Sequence, residues 1–304
     1  MDYTQVKVGQ RLACLSPLLA RVAVATVIDT TRAPWVLVQC CETGFVYLAN
    51  PPPYEDLVEA FAWQNSFREE RARRRQAEPV VARMSEIFKM LRARLFARRE
   101  KCFELARRFL AERSEISLLD VGCGRGRLGI SLAQRFAKIG TRLTPYGIEI
   151  SSRLAQDSHQ QFARFGGRVI SAPAIRAAET TAAETYDLVV LCSLLEHEHQ
   201  PLRLLRALHG TVKAEGIVVI KVPNYGSWMR YWRGRNWCGY RFPDHVNYFT
   251  ASTLDQLARA AGFRIAFQSW REKNPLSDSL YAVLGKDAAH GGWQDSSAKR
   301  SAAA

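Results

Sequence analysis

Glycines and carboxylates surround one short apolar run in a pattern that could bind a nucleoside-bearing ligand. The run leads into Asp120-Val-Gly-Cys-Gly-Arg-Gly126, and a later apolar run ends at Glu149 and Ile150. Glycines that follow a strand let the backbone turn tightly and approach a ligand, because no Cβ atom stands in the way. A carboxylate such as Glu149 can accept hydrogen bonds from both ribose hydroxyls. We expect cofactor contacts at Asp120, Gly122, Cys123, Gly124, Gly126, Glu149 and Ile150.

Two kinds of cofactor fit this spacing. Gly124-x-Gly126-x-x-Gly129 satisfies the fingerprint of dinucleotide-binding proteins, in which the glycine turn holds a diphosphate. Asp120 stands two residues before the first glycine of the turn. A carboxylate there repels a diphosphate and attracts a ligand that carries ammonium and sulfonium groups. Asp120 therefore favours a cationic methyl donor, and a nucleotide-dependent oxidoreductase stays as the alternative.

Five segments between roughly residues 115 and 285 follow one another in a recognisable order. They are Leu118-Leu-Asp-Val-Gly-Cys-Gly-Arg-Gly126, Tyr146-Gly-Ile-Glu149, Tyr186-Asp-Leu-Val-Val-Leu-Cys192 with Leu194-Leu-Glu-His197, Ala214-Glu-Gly-Ile-Val-Val-Ile-Lys-Val-Pro-Asn224, and Ala261-Gly-Phe263. Together they resemble the class I S-adenosylmethionine-dependent methyltransferase superfamily. Within it the chain is similar to the branch of ubiquinone-biosynthesis O-methyltransferases and methyltransferases that act on sugars or lipid-linked intermediates.

This resemblance implies an α/β fold, a Rossmann-like, doubly wound and mostly parallel sheet, with S-adenosylmethionine as cofactor. It implies that Asp120 and residues 122–126 surround the methionine part of the cofactor and that Glu149 binds the ribose. Residues from Ser193 to Glu196 would line the open side of the cofactor, with Ser193 and Leu194 as the predicted contacts.

One departure from the family pattern lies where the adenine would bind. The resemblance places Ala172-Pro-Ala-Ile175 beside the adenine, where the family often has an acidic residue and this chain has none. A third interpretation therefore stays open, in which a catalytically degenerate methyltransferase fold serves as a binding protein.

A segment rich in Trp, Tyr and Arg, residues 224–249, follows the fifth strand predicted for the sheet. Loops at the carboxyl ends of strands build the active site in this architecture. Aromatic walls with arginines suit a planar or sugar-like acceptor that carries negative charge. The predicted substrate-binding residues are Asn224, Tyr225, Trp228, Arg241 and His245. The alternative is a hydrophobic lid whose aromatic residues only pack.

His245 is the predicted catalytic residue. It lies in Pro243-Asp-His-Val-Asn-Tyr-Phe249, which resembles the P-x-H-x-x-x-F element of the same branch. A histidine there could remove a proton from an acceptor hydroxyl as the methyl group moves. A structural histidine and a purely substrate-binding histidine are the alternatives. No metal is predicted, and we expect O-methylation of a small-molecule acceptor: a quinone-like phenol, a sugar or a lipid-linked intermediate.

Strands alternate with helices from Ser117 onward, which predicts a parallel sheet with helices on both faces. The predicted strands are 118–121, 146–150, 169–172, 187–192, 217–222, 263–270 and 280–284, and the predicted helices are 127–138, 151–165, 201–213 and 252–261.

The sequence divides the whole chain into four predicted parts. They are a small β-rich amino-terminal module (1–55), a basic helical connector (56–114), the class I methyltransferase domain (115–286) and a disordered tail (287–304). The module resembles a zinc-knuckle-like unit that precedes methyltransferases of this branch. Thr43 stands where that unit has its second cysteine, so we expect the metal ligands to be lost.

The chain is strongly basic, with 43 Lys and Arg against 29 Asp and Glu and a net charge of +14. Between Arg68 and Arg113, 15 Lys and Arg stand among seven Glu, which predicts either a solvated helix face or a contact with an anionic membrane surface. No specific nucleic-acid partner is predicted, because no binding motif occurs. Seven scattered cysteines without a C-x-x-C pair predict a reducing, cytoplasmic location.

Overall fold

The computed structural model describes residues 3–53, 101–270 and 273–286, together with the single residues 72, 76 and 83. Most of the predicted basic connector and all of the predicted tail (287–304) lie outside the described residues. None of the described helices is both long enough and apolar enough to cross a bilayer.

Twelve strands and seven α-helices occur in the described residues. The strands are β1 Arg11–Ser16, β2 Arg21–Arg32, β3 Trp35–Cys40, β4 Val46–Leu48, β5 Glu115–Val121, β6 Arg142–Glu149, β7 Arg168–Ser171, β8 Tyr186–Cys192, β9 Val212–Pro223, β10 Asn247–Tyr248, β11 Phe263–Phe267 and β12 Ser279–Lys286. The helices are α1 Lys101–Leu110, α2 Arg127–Ala137, α3 Ser152–Ala163, α4 Ala174–Thr180, α5 Pro201–Thr211, α6 Trp228–Arg233 and α7 Ala251–Ala260.

Seven strands form the central sheet in the order β11-β12-β9-β8-β5-β6-β7. Strands β5 to β9 run parallel, while β12 runs antiparallel to both β9 and β11. The chain enters the sheet at β5 and continues to β6 and β7 on one side of it. It then crosses to β8, which lies on the other side of β5. In such sheets the ligand crevice opens at the carboxyl ends of the strands where the order reverses. The prediction of a Rossmann-like, doubly wound, mostly parallel α/β sheet is confirmed.

The predicted elements of this sheet are all present, with shifted ends. Strand β9 begins at Val212 rather than at 217, because the chain enters it directly from α5. Helix α4 was not predicted: it is one short stretch in which three alanines are buried, so its sequence carries no amphipathic period long enough to indicate a helix.

Five antiparallel strands form the second sheet in the order β1-β2-β3-β4-β10. Strands β1 to β4 come from the amino-terminal module, whereas β10 comes from the aromatic segment 224–249 of the predicted methyltransferase domain. The ring of Phe45 lies 5.1 Å from that of Phe249, centroid to centroid, just beyond β10. Buried residues of the two sheets belong to one continuous hydrophobic cluster, so the amino-terminal module packs directly on the methyltransferase domain.

Candidate active site

The glycine turn, residues 122–126, connects β5 to α2. Gly122, Gly124 and Gly126 have φ angles of +71°, +54° and +70°, a region that favours glycine. The N–H groups of Gly122 and Cys123 donate to the carbonyl oxygen of Ile148 at 2.8 and 3.1 Å, which ties the turn to β6. Gly126 caps α2 without a side-chain hydrogen bond, so the first N–H groups of this helix stay available to a ligand.

Glu149 ends β6 beside the glycine turn, and its side chain is 8% exposed. One carboxylate oxygen accepts the N–H of Gly124 at 2.8 Å and the other accepts the N–H of Ser151 at 3.0 Å. Each carboxylate oxygen can accept a second hydrogen bond. The same group therefore holds the turn in shape and can still accept the hydroxyls of a ribose. Ile150 follows it directly.

Asp120 and Cys123 are buried beside the turn, 2% and 8% exposed. The thiol of Cys123 donates to the hydroxyl of Ser158 at 3.6 Å. Burial raises the pKa of Cys123, and the carboxylate of Asp120 adds to the rise. Cys123 therefore stays a neutral thiol, whose sulfur also fills the space that a side chain at Gly147 would need.

Ser193 and Leu194 reach the glycine turn from the end of β8. Ser193 adopts a φ of +58°, uncommon for a residue with a side chain, and its N–H donates to Lys221 at 2.9 Å. A Cβ atom at Gly122 would lie 3.0 Å from the Cδ1 of Leu194, so only glycine allows this approach. The two segments predicted to enclose the cofactor are thus in contact.

A cationic methyl donor fits this half of the crevice. Two carboxylates, Asp120 and Glu149, lie at the turn, the turn bears no side chain at its three glycines, and α2 offers unused N–H groups. S-Adenosylmethionine needs these features: carboxylates near its ammonium and sulfonium groups, an acceptor for its ribose and donors for its own carboxylate.

His245 lies in the aromatic segment and is 3% exposed. Its Nδ1 is 2.8 Å from the carbonyl oxygen of Gly239, so Nδ1 carries the proton and Nε2 has the lone pair. Among the described residues, Nε2 has no hydrogen-bond partner. Burial, reinforced by the charges of His197 and Arg241, holds the pKa of His245 well below its ordinary value. His245 is therefore neutral at pH 7.

His197, Asp244 and Arg241 form buried ion pairs beside that ring. The Nδ1 of His197 is 2.8 Å from a carboxylate oxygen of Asp244, and the guanidinium of Arg241 bonds to the other carboxylate oxygen. Burial opposes a charge on His197, but Asp244 outweighs it and raises the pKa of His197. Conversely, burial favours a neutral Asp244, but the neighbouring cations lower its pKa. The ion pair with Asp244 therefore favours the imidazolium form of His197.

Glu196 completes what we call the histidine cluster: Glu196, His197, Arg241, Asp244 and His245. Its side chain is 1% exposed, and burial raises the pKa of its carboxyl group. The ring centroids of His197 and His245 lie 4.8 Å apart, edge to face. The cluster therefore combines one neutral base with adjacent cations in a water-poor site.

Three members of the histidine cluster also offer metal-ligand atoms. Donor atoms of Glu196, His197 and His245 all lie within 4.8 Å of one another. Imidazole nitrogens and carboxylate oxygens of this kind bind divalent cations. His197 already uses Nδ1 to bond Asp244. The absence of a metal stays a prediction, for which chelation is the direct test.

The other predicted substrate residues are placed differently. The side-chain amide of Asn224 donates to the carbonyl oxygens of Asn274 and Ser277 at 3.4 and 3.1 Å, which holds the loop before β12. Trp228 begins α6 and is 61% exposed. Tyr225 packs against Trp237, with ring centroids 6.1 Å apart. Of the five predicted residues, only Arg241 and His245 enter the histidine cluster.

Sequence reasoning left His197 and Asp244 out of the predicted site and expected Glu196 only along the open side of the cofactor. All three were visible as acid–imidazole pairs, Glu196-His197 and Asp244-His245. Nothing in the sequence indicates that these two pairs meet, because their contact depends on how the aromatic segment folds over the end of β8.

Comparison with known proteins places these features in context. A family model described as a methyltransferase domain matches residues 93–267, more than half of the chain. A ubiquinone biosynthesis O-methyltransferase of Aeromonas salmonicida is 29% identical over 182 residues, which cover 56% of this chain and 71% of that protein. The protein of the same name from Leptothrix cholodnii is 34% identical over 110 residues, covering 36% and 45%.

Solved structures of methyltransferases are also similar to the chain. 1,6-Didemethyltoxoflavin-N1-methyltransferase of Burkholderia thailandensis matches with a TM-score of 0.49 and 15% identity, over 86% of this chain and 99% of that one. A SAM-dependent methyltransferase of Archaeoglobus fulgidus matches with a TM-score of 0.46 and 19% identity, over 66% and 99%.

Proposed function

The chain belongs to the methyltransferase domain family and is an S-adenosylmethionine-dependent methyltransferase, and on this premise we propose that it methylates a hydroxyl group of a small-molecule acceptor, with His245 as the general base. Family membership sets aside the interpretation as a nucleotide-dependent oxidoreductase.

The observation that carries this proposal is the state of His245. A general base must be unprotonated and must aim a lone pair at the proton that it removes. His245 is neutral, its Nδ1–H is held by Gly239, and its buried Nε2 has no hydrogen-bond partner among the described residues, so an acceptor hydroxyl that enters the site can bond to it. S-Adenosylmethionine supplies the methyl group as an activated sulfonium. What the protein adds is proton removal, alignment of the acceptor oxygen and exclusion of water.

The cations of the histidine cluster support a phenolic or otherwise anionic acceptor. As His245 takes the proton, negative charge develops on the acceptor oxygen, and fixed cations in a site of low dielectric constant stabilise such charge. Arg241 and the imidazolium of His197 supply them. Phenols ionise far more readily than sugar hydroxyls, and both named relatives are ubiquinone biosynthesis O-methyltransferases. We therefore place a quinone-like phenol ahead of a sugar or a lipid-linked intermediate.

On the cofactor side we assign the roles that the sequence predicted. Asp120 and the glycine turn enclose the methionine part of the cofactor, Glu149 accepts the ribose hydroxyls, and Ser193 with Leu194 lines the side that faces the acceptor. Ile150 and Cys123 shape the floor of the site by packing.

The proposal also includes two sequence predictions about where the protein acts. The first is a contact of the basic segment 68–113 with an anionic membrane surface; most of that segment lies outside the described residues. The second is the cytoplasmic location.

The test of the function is a methyl-transfer assay on matched acceptors. The protein is incubated with methyl-labelled S-adenosylmethionine and, separately, a dihydroxybenzoic acid, the corresponding aminobenzoic acid and a neutral sugar. We expect mass spectrometry to find the labelled methyl group on a phenolic oxygen. Label on nitrogen alone, or no product with any hydroxyl acceptor, contradicts the proposal.

A further inference from the structure

The chain just after His245 joins the amino-terminal sheet instead of the methyltransferase sheet. In β10, Asn247 pairs with Tyr47 and Tyr248 pairs with Val46 of β4. The N–H of Leu48 extends this pairing by donating to the carbonyl oxygen of Val246 at 2.9 Å. The amino-terminal module therefore fixes the register of the segment that carries the proposed base.

The same segment is bonded on its other side to the turn after β8. The N–H groups of Val246 and Asn247 both donate to the carbonyl oxygen of Glu196, at 2.8 and 3.1 Å. The side-chain amide of Asn247, which is 2% exposed, donates to Leu195 at 2.9 Å and to Glu198 at 2.6 Å. Both carbonyl oxygens belong to the turn that also carries Glu196 and His197.

We propose that Asn247 is a positioning residue, which acts through His245 and holds it in register with the turn after β8. This inference rests on the proposed role of His245 as the base. Both N–H donors of the Asn247 side-chain amide are used. They hold the turn after β8, which begins with Ser193 and Leu194, against β10, which begins two residues after His245. The amino-terminal sheet is the frame for this contact, which gives the module a function in catalysis.

The expected size of the effect follows from geometry. Loss of the amide removes the bonds to Leu195 and Glu198 and leaves only the two backbone bonds to Glu196 between the turn and β10, so the two can shift relative to each other. A displacement of about 1 Å at reacting groups can cost on the order of 100-fold in rate. Cofactor contacts at Asp120 and Glu149 do not depend on this amide, whereas Ser193 and Leu194 lie in the turn that it holds. A positioning role therefore predicts a lower kcat with little change in cofactor affinity.

Asn247→Ala is the variant that tests this role, and Asn50→Ala is its matched control. The side chain of Asn50 also joins two parts of the amino-terminal sheet: it accepts the N–H of Val36 at 2.8 Å and donates to the carbonyl oxygen of Pro34 at 2.6 Å. Asn50 makes no bond to the histidine cluster. We expect kcat to fall about 100-fold in Asn247→Ala, with a much smaller change in S-adenosylhomocysteine affinity, and to stay unchanged in Asn50→Ala.

A second readout needs no acceptor. Diethyl pyrocarbonate modifies accessible neutral imidazoles, and the tryptic peptide 242–259 contains His245 as its one histidine. Buried His245 should react slowly in the native protein and in Asn50→Ala, and clearly faster in Asn247→Ala, at a temperature below every melting transition. Should Asn247→Ala not fold, Asn247→Ser, which keeps one donor, should show an intermediate effect in both assays.

Unchanged kcat and unchanged His245 modification in Asn247→Ala would overturn the positioning role, and so would equal losses in Asn50→Ala. Failure of the proposed function has a different signature. If the native protein methylates no hydroxyl acceptor while His245 still reacts faster in Asn247→Ala, the positioning role stands and the assigned chemistry is wrong.

Discussion

The proposed cofactor side and the proposed acceptor side of this site are built in opposite ways. The glycine turn, Asp120 and Glu149 come from one short stretch of chain, a strand, a turn, a helix and the next strand, and local hydrogen bonds hold them. The histidine cluster combines the turn after β8 with a segment about 45 residues later, and β4 supports that segment from the far end of the chain. Local chemistry thus defines the cofactor half, while tertiary contacts define the acceptor half.

The two sides also carry opposite charge. Carboxylates lie at the glycine turn, whereas Arg241 and the imidazolium of His197 lie beside His245 and are partly neutralised by Asp244. A sulfonium donor and an anionic acceptor are each attracted to a different side. The two halves should therefore be separable by substitution, so that a change in one half leaves the function of the other intact.

Removal of the base should produce the largest effect. His245→Ala is expected to lower kcat about 1,000-fold, since general-base catalysis contributes on the order of 10² to 10⁴. The exposed His159 provides the control, His159→Ala, which should keep full activity. Steady-state rates of methyl transfer measure both. A His245→Ala enzyme as active as the native protein would remove the base from the mechanism.

Removal of the carboxylate at the glycine turn should impair the other half. Asp120→Ala is expected to weaken S-adenosylmethionine binding about 10- to 100-fold, because hydrogen bonds to charged groups contribute about 1.5–3 kcal/mol. Asp157→Ala, on the exposed face of α3, is the matched control. Equilibrium dialysis with labelled cofactor measures the change, and unaltered binding in Asp120→Ala would contradict the electrostatic assignment.

The pH profile of kcat should reflect the two histidines. The proposed mechanism requires His245 to be neutral, and its lowered pKa means that activity should be lost only when pH falls well below the ordinary histidine value. It also requires His197 to be charged, and its raised pKa means that activity declines as pH rises above that value. His197→Gln should abolish the alkaline decline and keep the acid one. An alkaline decline that persists in His197→Gln would assign it to another group.

Chelation should produce the smallest effect. The ion pair with Asp244 already orients His197 without a metal, so we expect EDTA to leave kcat unchanged. Loss of activity that added divalent cation restores would instead make Glu196, His197 and His245 metal ligands, and would overturn the prediction of a metal-free site.

Sequence reasoning succeeded where the structure is local. The order of strands and helices, the glycine turn and the position of Glu149 follow from periodicity and spacing, because each depends on neighbours within a few residues. It failed for β10, which is only two residues long and exists because β4 offers an edge to pair with. For Asn224 the substrate contact stays a prediction; in the structure its side-chain amide holds the loop before β12.

The ion pair between His197 and Asp244 could not be predicted from the sequence either. In the sequence His197 follows Glu196 and Asp244 precedes His245. Nothing in the composition indicates that the pKa of His197 or of Asp244 is shifted. Burial and proximity, both products of tertiary packing, set the charge of the histidine cluster.

The separation of the two halves has one direct test: calorimetric titration of S-adenosylhomocysteine into the native protein, Asp120→Ala and His245→Ala. The account predicts tight binding to the native protein and to His245→Ala, with binding weakened or lost in Asp120→Ala. Equal affinity in all three proteins, or a loss in His245→Ala as large as that in Asp120→Ala, would contradict it.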